Sequence, residues 1–304
     1  MNSKPPLALI AGPTASGKSA LALGLAESTG GAIVNADSAQ IYRDLPVLSA
    51  APTAGERARA EHRLYGVLDG ALSCSAAEWA ALARREIEKL QAEGRLPILV
   101  GGTGLYLRTL LDGIAPVPAI DPQVRDDVRG ASTEQNHARL REVDPEAAAR
   151  VNAADTTRVG RALEVVLSTG RTLADWQTHR EGGIGEAVEM HPLILLPPRD
   201  WLYARCDERF ARMFEGGAIE EVQVLLARKL SPSLPVMRAI GVPEVAAYLS
   251  GELAREEAIA TGQQATRNYA KRQYTWFAHQ PPADWPRFSD VPDERALELL
   301  RLSD

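Results

Sequence analysis

Gly12-Pro13-Thr14-Ala15-Ser16-Gly17-Lys18-Ser19 stands directly behind the short apolar run Leu7-Ala8-Leu9-Ile10 and ahead of Ala20-Leu21-Ala22-Leu23. The eight residues fit the phosphate-loop pattern G-x-x-x-x-G-K-[ST] in the strand, turn and helix context that the pattern requires. In such a loop consecutive backbone N–H groups and the positive end of the helix surround a phosphate. Lys18 bridges the phosphate oxygens, and the Ser19 hydroxyl is a ligand for Mg²⁺. Gly12, Pro13, Thr14, Ala15, Ser16, Gly17, Lys18 and Ser19 are therefore expected to bind a diphosphate or triphosphate. The loop does not say whether the phosphate is transferred, hydrolysed or leaves.

A nucleotide-hydrolysing protein of this class carries an acid at the end of a second apolar strand to hold the metal. Here the best such strand, Pro97-Ile98-Leu99-Val100, runs into Gly101-Gly102-Thr103-Gly104, and no carboxylate stands there. The nearest acid on a comparable strand end is Asp37, after Ile33-Val34-Asn35-Ala36 and within Asp37-Ser38-Ala39-Gln40. Parallel strands present their carboxyl ends to one crevice, so this carboxylate is expected close to the phosphate site.

Strand and helix signals alternate through the first part of the chain: strands at 7–10, 33–35 and 97–100, helices from Lys18, over 75–93 and over 105–111. Alternation of this kind implies a parallel sheet covered on both faces. The pattern changes at Ala115-Pro116-Val117-Pro118, after which 122–181 reads as charged helical segments, notably 145–151 and 157–168. Pro192-Leu193-Ile194-Leu195-Leu196 returns as a buried strand, followed by helical stretches over 207–230, 242–249 and 255–278. The expected fold class is α/β, a P-loop NTPase-like parallel sheet flanked by helices with an inserted all-helical domain. Residues 1–115 and 191–304 would form the core and 116–190 the insertion, with a peripheral tail after Pro281-Pro282.

The chain has 304 residues, 45% hydrophobic and 24% charged, the composition of an ordinary globular protein. Its two cysteines, Cys74 and Cys206, lie far apart, which suits a reducing cytoplasm and two buried small hydrophobes. No apolar run approaches membrane-spanning length, so a cytoplasmic protein without a membrane partner is expected. The formal net charge of −6 does not exclude nucleic acid. Ionic contacts feel mainly what lies within a Debye length of about 8 Å. Between 261 and 282 there is no acid, while Arg267, Lys271 and Arg272 alternate with Tyr269, Tyr274, Trp276 and Phe277.

Several motifs agree in order. They are residues 12–19, Asp37-Ser38-Ala39-Gln40-Ile41-Tyr42, Gly101-Gly102-Thr103-Gly104-Leu105-Tyr106, Arg158-Val159-Gly160-Arg161-Ala162-Leu163-Glu164, Arg238-Ala239-Ile240-Gly241 and Thr266-Arg267-Asn268-Tyr269-Ala270-Lys271-Arg272-Gln273. Together they resemble the bacterial tRNA dimethylallyltransferases over 7–278. The resemblance implies transfer of a dimethylallyl group from dimethylallyl diphosphate to N6 of the adenine 3′-adjacent to the anticodon. It also implies the tRNA anticodon stem-loop as partner; Mg²⁺ is expected as cofactor from Ser19 and the diphosphate, and a monomer is expected.

The chemistry of the residues is compatible with that implication. An allylic diphosphate ionises readily, so the main task is to stabilise charge on the departing diphosphate. No phosphoryl group moves, which accords with the missing acid after residue 100. The adenine amine must lose a proton as the new bond forms, and a carboxylate can accept it.

By resemblance, Asp37 is the catalytic base, with Lys18 and Arg209 as the cations on the diphosphate. Read from the residues alone, Asp37 could instead cap a turn, and Arg209 could join a helix-surface salt bridge with Asp207 or Glu208. The resemblance further assigns tRNA contact to Asp37, Ser38, Ala39, Gln40, Thr103, Arg125, Thr157, Arg158, Val159, Gly160, Arg161, Arg238, Arg267 and Lys271. Gln40 carries an amide able to read the adenine edge. Plain readings stand beside these: a tight turn at Thr103, and solvated helix faces at Arg158, Arg161, Arg267, Lys271 and Arg272. Three other functions remain open: a P-loop small-molecule or nucleoside kinase, a nucleotide-dependent RNA-binding protein, and an adenylate isopentenyltransferase acting on free nucleotides.

Overall fold

The apolar run ahead of the phosphate loop forms β1 (Pro6–Ala11), buried from Leu7 onward in the computed structural model, which describes residues 4–302. Residues 1–3 and 303–304, the outer ends of the expected core domain, lie outside the described residues. After β1 come α1 (Lys18–Thr29), β2 (Ala32–Asn35), α2 (Ala54–Arg59), β3 (Glu61–Arg63), α3 (Ala76–Ala92), β4 (Pro97–Gly101) and α4 (Gly104–Asp112). A run of helices follows: α5 (Pro122–Gly130), α6 (Thr133–Val143), α7 (Pro145–Arg150), α8 (Thr156–Thr169) and α9 (Leu173–Gln177). The chain then continues with β5 (Glu189–Leu195), α10 (Arg199–Glu215), α11 (Ala218–Ala227), α12 (Val242–Leu249), α13 (Arg255–His279), β6 (Arg287–Phe288) and α14 (Arg295–Glu298).

The strands make one six-stranded sheet in the order β3-β2-β4-β1-β5-β6, with every neighbouring pair parallel. This is the expected α/β class, a parallel sheet flanked by helices. Successive side chains of a strand point to opposite faces, so β1 feeds two layers. Leu7 and Leu9 join the core that holds Trp79, Ile87 and Leu90 of α3, while Ala8 and Ile10 join the layer under Leu21 and Leu25 of α1. Removing one such fully buried Leu or Ile side chain costs about 2–5 kcal/mol. On the α3 side, α13 approaches α10 closely because residue 262 is glycine: a Cβ there would fall on the Phe210 ring.

The chain divides into two units, Met1–Leu111 with Ile184–Asp304, and Asp112–Gly183. The second has its own core, with Val128, Leu140, Ala147, Val159 and Leu163 brought together from α5, α6, α7 and α8. Local signals start its helices. Asp121 caps α5 ahead of Pro122, Ser132 and Gln135 form a capping box on α6, and Asp144 and Asp155 cap α7 and α8.

Several details differ from the sequence reading. The sequence pattern places the insertion at 116–190, but Glu189 already opens β5, and Ile184 and Val188 are buried in the sheet unit. The stretch 207–230 is not one helix, because Gly216 and Gly217 separate α10 from α11 and α10 begins earlier, at Arg199. The tail is not peripheral. β6 pairs with β5, and Ala296 and Leu300 are fully buried beside the α1 layer.

Candidate active site

Because all strands run parallel, the segments after β1, β2 and β4 emerge at one edge of the sheet. The segment after β1 is the phosphate loop. Helix α1 opens from it at Lys18 with no side-chain cap and no acid in its first turn, so its N-terminal amides are left for a ligand. Lys18 Nζ donates to Pro13 O at 2.6 Å, folding the ammonium over the loop. Desolvation pushes Lys18 down to about 8; Asp37 opposes that shift and Arg209 adds to it. Ser19 stands exposed in the first turn.

Arg209, on α10, donates to Thr14 Oγ1 across 195 residues of sequence. Its neighbours are engaged elsewhere: Asp207 pairs with Arg267, and Glu208 lies 3.9 Å from Arg212 Nε. The guanidinium is thus directed at the phosphate loop, not into a salt bridge along α10. Burial lowers its pKa, though an arginine keeps its proton at any relevant pH.

Asp37 both caps a turn and faces the site. Its Oδ1 accepts from Ala39 N–H at 2.9 Å, and its own N–H donates to Asn35 Oδ1 at 2.8 Å. Its charge reaches Lys18, Arg209 and Tyr269, whose phenol burial and Asp37 together push upward. Thr103, after β4, steadies this turn. Thr103 Oγ1 accepts from Ser38 N–H at 3.0 Å, and Thr103 N–H donates to Ala36 O at 3.2 Å.

One cavity of about 340 Å³ joins these parts. Thr14, Asp37, Ser38, Ala39, Arg209 and Arg238 line it, together with an apolar wall that includes Leu45, Leu48, Phe210, Met213 and Ile240. Polar groups converging on an apolar pocket are the usual form of a small-molecule site.

Gln40 is placed differently from its expected role. Its Nε2 donates to Ser49 O at 3.0 Å and Ala50 O at 2.8 Å, so the amide donor holds the loop that carries Leu48 and Ser49 to the cavity wall. Arg267 is not a free cation on a basic face, because it is bonded to Asp207 and to Gln264 Oε1. The compensating acid sits on α10, far away in sequence. Lys271 is exposed, and Arg272 lies over the Tyr269 ring at 5.7 Å and lines the cavity.

Within the helical unit, Thr157, Arg158 and Arg161 are exposed on α8, Gly160 is partly covered, and Arg125 lies on α5. Arg158 reaches Asp155 at 3.5 Å, and Arg129 reaches the buried Glu164 at 3.3 Å. Desolvation lowers the Arg161 pKa, with Glu164 opposing and Arg125 reinforcing the shift. Val159 is fully buried in the unit's core, so its side chain offers no contact to a partner.

Gln273 closes the motif 266–273 in the sequence, which gave it no role. It is buried on the stripe of α13 that also carries Gly262, Thr266, Ala270 and Phe277, and it bonds to both Thr14 and Gly102. A glutamine on an otherwise small or apolar stripe is the signal that could have found it. Tyr106, stacked on Trp79 at 4.5 Å, and Tyr42 complete the aromatic part of the cavity wall and were likewise not singled out. Cys74 is only half-buried and also lines the cavity, while Cys206 is fully buried. Among the described residues there is no cluster of three His, Cys, Asp or Glu able to hold a metal. No helix among them is long and apolar enough to cross a membrane.

Comparison with known proteins agrees with this geometry. The IPP transferase family profile matches residues 40–280. A tRNA dimethylallyltransferase of Sphingopyxis alaskensis is 61% identical over 299 residues, covering 96% of this chain and 98% of that protein. One from Zymomonas mobilis is 48% identical, covering 98% and 97%. Among solved structures, the full-length tRNA isopentenylpyrophosphate transferase of Bacillus halodurans aligns with a TM-score of 0.70 at 32% identity, over 98% of this chain and 95% of that one. A eukaryotic dimethylallyltransferase acting on tRNA aligns with a TM-score of 0.76 at 27% identity, covering 89% and 69%.

Proposed function

The chain belongs to the IPP transferase family, and we propose that it transfers a dimethylallyl group from dimethylallyl diphosphate to N6 of the adenine 3′-adjacent to the anticodon in tRNA, releasing diphosphate. The observation that carries this reading is the single cavity shared by Thr14 and Arg209 at the phosphate loop, by the Asp37 carboxylate, and by an apolar wall suited to a branched hydrocarbon. A kinase is disfavoured by the absence of a carboxylate from Gly101 to Gly104 after β4, and by relatives whose printed names specify tRNA as the acceptor.

In this reading the allylic C–O bond breaks and its electron pair leaves with the diphosphate. The uncapped N–H groups at the start of α1, Lys18 and Arg209 receive that charge, and donors aimed at developing charge are the largest single contribution in many enzymes. The adenine N6 lone pair forms the new C–N bond, and the N6 proton passes to Asp37. Ser38, Ala39, Thr103 and Arg238 surround the acceptor, and Arg125, Arg158, Arg161 and Lys271 meet tRNA phosphates. Ser19, exposed in the first turn of α1, would offer its hydroxyl to a Mg²⁺, an ion that seldom needs an all-protein cage. When bound, it neutralises part of the departing charge.

A cytoplasmic enzyme accords with relatives whose printed names specify tRNA as the substrate. The test is incubation of the purified protein with labelled dimethylallyl diphosphate and either tRNA or AMP, with ATP as a control donor. Labelled tRNA carrying prenyl-adenosine is expected. Labelled AMP alone, or phosphoryl transfer from ATP, would replace this reading with one of its competitors.

A further inference from the structure

Gln273 is 6% exposed, and both ends of its amide are used. Its Oε1 accepts from Thr14 N–H at 2.7 Å, and its Nε2 donates to Gly102 O at 2.8 Å. One side chain therefore ties α13 to the phosphate loop after β1 and to the glycine-rich turn after β4. The link continues on the other side of Gly102: Thr103 N–H donates to Ala36 O, and Thr103 Oγ1 accepts from Ser38 N–H, next to Asp37. A path of hydrogen bonds, joined through the Gly102–Thr103 peptide, thus runs from the residue that receives Arg209 to the turn that carries the carboxylate.

We propose that Gln273 is a positioning residue that sets the distance between the diphosphate-holding loop and Asp37, and so acts on the chemical step without touching either substrate. This rests on the prenyl-transfer reading above. β4 stands between β1 and β2 in the sheet, so the link from the phosphate loop to the turn carrying Asp37 runs through the turn after β4, which Gln273 holds. Misplacement of reacting groups by about 1 Å can cost on the order of 10²-fold in rate. Glycine at 102 is part of the same device: a Cβ there would meet Gln273 Nε2 and stand 3.0 Å from Gly12 O.

Gln273→Met fills the same space and makes neither bond. The expected result is a single-turnover rate constant, at saturating dimethylallyl diphosphate and tRNA, lower by about 10–100-fold, with the Kd for each substrate changed by less than about threefold. Gln273→Glu keeps the acceptor for Thr14 N–H but sets a carboxylate oxygen against Gly102 O, so it too should lower the rate constant. Gly102→Ala attacks the contact from the other side and should lower the same rate constant. An arm independent of activity is amide hydrogen exchange at Thr14, expected to be about tenfold faster in Gln273→Met because its acceptor is gone. A wild-type rate, a loss wholly in substrate Kd, or unchanged exchange at Thr14 would overturn the proposal. Absence of prenylated tRNA with the unsubstituted protein would instead overturn the function, and the exchange arm would still judge the clamp.

Discussion

The Arg209 guanidinium donates to the Thr14 hydroxyl, so a helix from the second half of the sheet unit closes over a loop from the first. That bond places a permanent cation at the point where negative charge must collect. It is also why α10 has a partly buried arginine beside the exposed charges Arg205, Glu208 and Arg212.

Arg209→Ala is expected to lower the rate of prenyl transfer by about 10²–10³, the usual cost of removing one donor from developing charge. It should also weaken inorganic pyrophosphate in calorimetric titration. Unchanged turnover and affinity would return Arg209 to the helix surface.

Lys18 gives a pH dependence with a defined sign. In the free protein its pKa is depressed from 10.5 to about 8 by desolvation, whereas a bound diphosphate favours the charged amine. Below that value the cation is already present. Above it, binding must take up a proton, and affinity should fall by up to about tenfold per pH unit. Lys18→Arg stays charged throughout. The ratio of pyrophosphate affinities, wild type over Lys18→Arg, should therefore decline above pH 8 and be flat below it, with the ligand's own titration cancelled.

Salt dependence separates free from paired cations. Each phosphate contact contributes a slope of about −0.7 to −0.9 in log K against log salt. Lys271→Ala and Arg161→Ala should each flatten the slope for tRNA binding by about that amount. Arg267→Ala should leave it nearly unchanged, because that guanidinium is held by Asp207 and Gln264. Filter-binding isotherms at several salt concentrations measure all three.

Gly262→Ala puts a methyl group against the Phe210 ring, itself part of the cavity wall. Overpacking of this kind costs about 1–3 kcal/mol. A lowered midpoint of thermal unfolding is expected, with Phe210→Leu restoring part of the loss in the double variant.

The phosphate loop, Asp37 and the central strands were readable because each depends on local signals: a glycine-lysine pattern, an acid at a strand end, short apolar runs. What escaped depends on contacts between distant segments. β3 is three residues long and wholly polar, and β6 is two, so neither has a periodicity to find. Arg267 read as free because its acid lies on α10, and Gln40 read as a base reader because its acceptors, Ser49 and Ala50, lie in a loop without pattern. Gln273 joins two turns that only the sheet order brings together.

The central claim, that the phosphate loop holds the departing diphosphate while Asp37 takes the proton from N6, is tested most directly by single-turnover prenyl transfer with Asp37→Asn. Loss of a general base lowers the chemical step by about 10²–10⁴. The account predicts a loss in that range with tRNA and dimethylallyl diphosphate affinities preserved. A rate constant close to that of the unsubstituted protein would contradict it.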